Sequence, residues 1–314
     1  MTNSPTSIWV AGEVLVDLIP SSRGETRIDE QLFEPHIGGG PANTARALGR
    51  WGLDPAFIGG FSSDRFGHIA WSEMSRDGVN LELSLESDLP TAKAILALDE
   101  KGSAHYRFET DATATFDFRS DWLPVASVAL PYILYMGSLA TIVEPGASSL
   151  LSWLAQSKVE TEIQVIFDPN VRPSFLNDSD TYRQAIEKWI PYVDLIKASE
   201  EDIRFLYPGE EQESVLLKWI THGVSLVVIT RGEKGMVAMS ADETSGVEGV
   251  KSDLVDTVGA GDTVGAVLVD ATMKFGLREL HGENLAKTLE VAAHAAAITC
   301  SRQGANPPAK EEYE

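Results

Sequence analysis

The chain has 314 residues, 43% hydrophobic and 23% charged, a balance that excludes a largely disordered or fibrous protein. With 25 Lys and Arg against 47 Asp and Glu, the formal net charge is -22, a field that opposes nucleic acid and anionic membrane surfaces but leaves room for a local anion site. A single cysteine, Cys300, excludes an internal disulfide framework and a cysteine-based metal cluster. The start "MTNSPTSIWV" lacks the basic and apolar parts of an export signal, so the expected compartment is the cytoplasm.

Short apolar runs alternate with amphipathic stretches, the rhythm of a mainly parallel sheet flanked by helices. The expected class is α/β, with one main domain spanning residues 1 to 314. In chain order, core strands are expected at "SIWVAGEVL" (7 to 15), "PAFIGG" (55 to 60), "YILYMG" (132 to 137), "EIQVIFD" (162 to 168), "VDLIKA" (193 to 198) and "SLVVIT" (225 to 230). Helix-like segments, "DRFGHIAWSEMSRDG" and "SEEDIRFLY", follow the second and fifth of these. Residues 124 to 143 carry no charge over about the length of a bilayer span. Pro131, Gly137 and several hydroxyl residues there indicate a buried strand between turns instead.

Residues 17 to 36 and 90 to 110 break the rhythm and read as short β segments joined by turns, with "DEKG" marking a hairpin. Together they would form a small sheet able to cover a site. A pair of ordinary surface hairpins fits the pattern equally well.

Two glycine-rich segments carry the chemistry. In "DTVGAGDTVGA" (256 to 266), Gly259, Ala260 and Gly261 precede an apolar helix-like run, so their amides and the helix dipole can meet a phosphate. Asp262 would cap that helix or accept a proton from a hydroxyl attacking a phosphoryl group. The dipole is expected to lower its pKa and keep it ionised at neutral pH. GxxxxGK[ST] is absent, and the spacing does not match GxGxxG. In "HIGGGPANTARALGRWG" (36 to 52), three successive glycines permit a close ligand approach, and Asn43 offers a donor and an acceptor to hydroxyl groups.

"IGGGPANTARALGRWG" and "DTVGAGDTVGAVL" resemble, in order, the two signatures of the ribokinase-type (PfkB) carbohydrate kinases, and the likeness extends over nearly the whole chain. It implies a three-layer α/β/α fold with a β-sheet lid, ATP as phosphoryl donor and Mg²⁺ as cofactor. Asp262 matches the catalytic base, and Gly259, Ala260 and Gly261 match the anion hole. Asp17 matches the aspartate that holds sugar hydroxyls, and Gly39, Gly40 and Asn43 match further sugar contacts. "VITRGEKG" (228 to 235) resembles the nucleotide loop, which implicates Thr230, Gly232 and Gly235. "SRQGANPP" (301 to 308) resembles the loop bordering adenine and a monovalent cation, which brings in Gly304, with Asp256 and Thr257 as ligands of K⁺.

The chain departs from the family where Asn-x-x-Glu is usual, since "KASEED" places Ser199 and Asp202 there. The resemblance assigns Ser199 to the nucleotide and Asp202 to Mg²⁺ through water. Ala293 and His294 stand where an adenine-side Asn is common. "FDPNVRP" (167 to 173) and "HYRFETDATATFD" (105 to 117) resemble segments of fructokinases, making Asp168, Arg172 and Arg107 substrate contacts and fructose the expected acceptor. A 2-keto-3-deoxygluconate kinase, with Arg107 or Arg172 on the substrate carboxylate, is the alternative. A non-catalytic sugar- or nucleotide-binding protein of the same fold is a third reading. A homodimer formed through the lid is expected, without nucleic-acid or membrane partners.

Overall fold

The structure, a computed structural model, describes residues 7–21, 23–24, 26–28, 31–98, 104–125 and 132–313. The chain opens with β1 (Ile8–Ala11), β2 (Leu15–Pro20), β3 (Thr26–Ile28), β4 (Gln31–Gly38) and helix α1 (Gly40–Arg50). It continues through β5 (Ala56–Ile58), β6 (Gly60–Ser62), α2 (Arg65–Arg76), β7 (Leu85–Ser87), β8 (Lys93–Leu98) and β9 (Ala104–Glu109). Then follow β10 (Ile133–Gly137), α3 (Gly146–Glu160), β11 (Gln164–Asp168), α4 (Ser179–Glu187), β12 (Leu195–Ser199), α5 (Glu200–Leu206) and α6 (Gln212–Thr221). The last third holds β13 (Leu226–Thr230), β14 (Met236–Met239), β15 (Thr244–Val247), α7 (Ala260–Phe275) and α8 (Gly282–Cys300).

Among the described residues, eight strands form the main sheet in the order β15-β14-β13-β12-β11-β10-β1-β5, parallel from β13 to β5 and antiparallel at β14 and β15. Both faces are covered, which is why the parallel strands read as continuous apolar runs. Val10, Ile133, Tyr135 and Ile166 pack toward α1, α7 and α8. Trp9, Leu134, Met136, Val165 and Phe167 pack toward α3, α4, α5 and α6. Each expected core strand is present within a few residues of its anticipated bounds, except that "SIWVAGEVL" divides into β1 and the start of β2. Between them lies Gly12, where an added Cβ would fall 2.3 Å from Cγ of Pro41 at the start of α1, so the close approach of α1 requires a residue without a side chain.

A second sheet, ordered β3-β4-β2-β8-β9, stands beside the first. It contains both irregular stretches, widened to begin at Leu15 and to run through Gly38. The turn expected at "DEKG" lies outside the described residues, but Leu98 pairs with Ala104 in the antiparallel ladder that flanks it. The uncharged stretch of 124 to 143 yields the buried strand β10. Among the described residues, no helix is long and apolar enough to cross a membrane.

In the sheet order β1 lies between β5 and β10, so the chain steps from β1 outward to β5 and then crosses back over β1 to β10, reversing its direction across the sheet. Such a switch opens a crevice at the carboxyl ends of the strands.

Candidate functional site

A cleft of about 720 Å³ occupies this position. Glu13, Ser138, Asn170, Ser199 and Thr230, which end or follow β1, β10, β11, β12 and β13, all line it. The second sheet covers one end with Leu15, Asp17, Ala94, Tyr106 and Phe108. Gly39, Gly40 and Asn43 from the start of α1 meet Gly259, Gly261 and Asp262 from the start of α7. The two glycine signatures, remote in sequence, thus share one wall.

Gly259 caps α7 with φ 80° and ψ -5°, a left-handed conformation that glycine adopts without the cost of a Cβ. Gly261 and Asp262 follow at the second and third helical positions, where amides have no partner within the helix. Ala260 differs from the sequence expectation in one respect, because its N–H donates to the Thr257 carbonyl at 3.3 Å in the loop's own turn.

The Asp262 carboxylate is clamped from both sides. Asn43 Nδ2 donates to its Oδ2 at 2.9 Å and Asn170 Nδ2 to its Oδ1 at 3.3 Å, while Thr44 Oγ1 donates to its main-chain carbonyl at 3.2 Å. Burial is the largest influence on its acidity and raises the pKa above the ordinary value, against the opposing effects of Lys197, Asn43, Arg172 and Asn170. The expectation of a lowered pKa is therefore corrected, since desolvation outweighs the helix end. Asn43 is buried with Oδ1 lacking a hydrogen-bond partner among the described residues. That orphaned acceptor, beside Asp262, suits an incoming hydroxyl.

Toward the second sheet, burial raises the Asp17 pKa to about 6, opposed by the Arg172 charge and reinforced by that of Asp262. Glu13 is 1% exposed and accepts a bond from the Ala140 amide at 3.0 Å. Burial pushes its pKa up to about 7. Arg172 Nη1 donates to Asn170 Oδ1 at 2.6 Å, and among the described residues no carboxylate pairs with its guanidinium. Asp168 does not reach the cleft as expected. It is buried beneath the floor, where it accepts from Lys197 Nζ at 2.7 Å and Tyr135 OH at 3.3 Å.

Arg107 is also displaced from its expected role. Strand alternation puts Tyr106 and Phe108 in the cleft wall and Arg107 on the opposite face of β9, where it pairs with Glu109 at 3.2 Å.

At the other end, Ser199, Thr230 and Gly232 line the cleft. Asp202 forms a capping box with Ser199 and also accepts the Val171 amide at 2.8 Å. Both its oxygens are thus bonded to backbone N–H groups, tying α5 to the loop after β11. Gly235 lies outside the lining and serves the turn into β14, where a Cβ would fall 2.0 Å from the Val247 carbonyl oxygen. Gly304 lies outside it as well, its N–H donating to Asp256 Oδ2 at 2.9 Å. Asp256 accepts the Val258 amide at 3.0 Å through its other oxygen, and Thr257 reaches the lining. His294 is exposed on α8, and neither it nor Ala293 lines the cleft.

Sequence reasoning missed Glu13, Asn170, Lys197 and the aromatic pair Tyr106 and Phe108. Asn170 adopts φ 40°, a region that asparagine tolerates better than most residues, but that conformation is seen only in the structure. Lys197 did have a usable signal, a charge inside the otherwise apolar run "LIKA" (195 to 198).

The model of the pfkB family of carbohydrate kinases matches residues 5–312. Fructokinase-2 of Zea mays is 31% identical over 300 residues, which cover 94% of this chain and 89% of that protein. A fructokinase of Xylella fastidiosa with bound ATP superposes with a TM-score of 0.85 at 22% identity, covering 96% of this chain and 94% of the other. A double mutant of the Vibrio cholerae O395 fructokinase, bound to fructose, ADP and potassium ion, superposes with a TM-score of 0.80 at 24% identity, covering 97% and 95%. These likenesses give the two-sheet architecture as ribokinase-like. The chain belongs to the pfkB family of carbohydrate kinases and is an ATP-dependent sugar kinase.

Proposed function

We propose that the acceptor is fructose and that Asp262 is the base that receives the proton of the attacking hydroxyl. The observation that supports the base is the clamped carboxylate of Asp262 beside Asn43 Oδ1, which lacks a partner among the described residues, at the open amides of α7; fructose rests on the likeness to the fructokinases. Asn43 Oδ1 accepts a bond from the sugar, Asp17 takes further hydroxyls, and Gly39 and Gly40 let the ring approach the backbone. The hydroxyl oxygen attacks the γ-phosphorus of ATP in line, its proton passes to Asp262, and ADP leaves as the old O–P bond breaks. The amides of Gly261 and Asp262 stabilise the charge on the phosphoryl oxygens. Tyr106, Phe108 and the second sheet exclude water from that space.

The nucleotide lies along Ser199, Thr230 and Gly232. Mg²⁺ fits as an ion carried by the ATP phosphates, because Asp202 and Glu201 line the cleft and such ions keep several waters with only one or two protein carboxylates. It supplies charge neutralisation of the phosphates when bound. K⁺ would sit at Asp256 and Thr257, of which Asp256 also accepts the Gly304 amide.

The Arg172 guanidinium lies in the cleft wall and pairs with no carboxylate among the described residues, which favours one further acceptor, 2-keto-3-deoxygluconate, whose carboxylate it would meet. The deciding experiment is ADP release with ATP and Mg²⁺ against fructose, 2-keto-3-deoxygluconate, ribose, glucose and adenosine. Fructose should give the highest kcat/KM. A preference for the sugar acid would transfer the acceptor assignment to it, and a preference for ribose or adenosine would reject both.

A further inference from the structure

Among the described residues, Arg172, Lys197 and Arg231 are the basic ones of the cleft lining, and of these only Lys197 is buried, at 3% exposure. Burying an ammonium is costly unless it is paired and hydrogen-bonded, and Lys197 is held by Asp168 Oδ2 at 2.7 Å. That carboxylate is itself fixed, since it accepts the Tyr135 hydroxyl at 3.3 Å and, through Oδ1, the Asn170 amide at 3.1 Å. One bond uses one of the three donors of the ammonium. The group stands against the start of α7, because a Cβ on Gly261 would lie 2.8 Å from Lys197 Nζ. The charges of Asp262 and Asp202 also act on it.

The geometry points to Lys197 as a catalytic residue that donates hydrogen bonds to the phosphoryl group during transfer, with Asp168 as the residue that positions it. This role rests on the cleft being the place of transfer, but not on which sugar occupies it. The hydroxyl proton goes to Asp262, the bond from phosphorus to ADP breaks as the bond to the sugar oxygen forms, and Lys197 stays protonated throughout. A fixed cation at the transferred group strengthens as charge moves onto the phosphoryl oxygens. A lysine present only to neutralise the surrounding acids would have no such preference for the transition state.

The test compares Lys197→Met with the wild type on whichever sugar the wild type turns over, so a failed fructose assignment leaves it intact. Turnover, sugar KM, ADP affinity and the tightening of ADP by aluminium fluoride in the presence of sugar would be measured. The variant should lose about 100-fold or more in kcat and the fluoride-dependent tightening, while sugar KM and ADP affinity stay within about 3-fold. Turnover within about 3-fold of wild type would overturn the proposal. So would parallel loss of sugar and ADP binding with the fluoride enhancement retained. Should Lys197→Met fail to fold, the double variant Lys197→Met with Asp168→Asn removes both charges together and is read by the same criteria.

Discussion

Three carboxyl groups on the cleft side of β1, β2 and α7, those of Glu13, Asp17 and Asp262, all have raised pKa values, and burial is the first cause in each. For Glu13, the folded value of about 7 exceeds the ordinary 4.5, so the native state keeps its proton over a range where the unfolded chain has lost it. Stability must then fall as pH rises from 4.5 toward 7. Glu13→Gln removes this slope, because its amide stays neutral. Relative to wild type, the variant should gain on the order of 2 to 3 kcal/mol between those two pH values. Urea unfolding at each pH measures the difference, and parallel wild-type and variant stabilities would contradict it. The aspartates at positions 17 and 168 have the same sign of shift and remain in the variant.

At the scale of elements, the start of α7 bears most of the demand. Gly259 combines a φ of 80° with a Cα-side space in which a Cβ would meet Ala305 at 2.7 Å. Gly259→Ala should therefore displace the helix start, lowering kcat by about 10-fold or more and the melting temperature together. Steady-state kinetics beside a thermal melt would check it, and an unchanged kcat would show that the amides of this turn do not meet the reacting group. The strands of the main sheet were legible in the sequence because burial on both faces demands unbroken apolar runs. The need for a glycine at position 12 was not legible, since it depends on how closely Pro41 of α1 approaches. Among site residues, Gly259, Asn43 and Asp262 were visible as motif positions. Arg107 was misplaced because a motif gives no strand parity, and β9 turns that side chain away from Tyr106 and Phe108. Asp168 was placed one layer too high for a related reason, its strand end being roofed by Lys197 of the neighbouring β12.

For the whole molecule, the second sheet supplies one end of the cleft and also bears exposed apolar side chains. Ile19, Leu32 and Tyr106 lie on the same face as Asp17, by the register of β2 with β4 and β8 and of β8 with β9. Such a face favours a partner, and the proposed partner is a second copy of the chain joined through this sheet. Sedimentation equilibrium at assay concentration should return twice the mass of one chain. Replacing Leu32 and Ile19 by charged residues should reduce it to one, and a wild-type monomer would reject the dimer. The acidic surface, with its net charge of -22, is no obstacle to an anionic substrate here, since the cleft sets Arg172, Lys197 and the amides of α7 against its carboxylates.

Asp262 is proposed to take the proton of the attacking hydroxyl. The most direct test of this role is Asp262→Asn, assayed for turnover on the preferred sugar and for sugar binding by calorimetry. In this variant kcat should fall by about 10² to 10⁴ while the sugar dissociation constant stays within a few-fold of wild type. A folded variant that retains wild-type turnover would contradict the role.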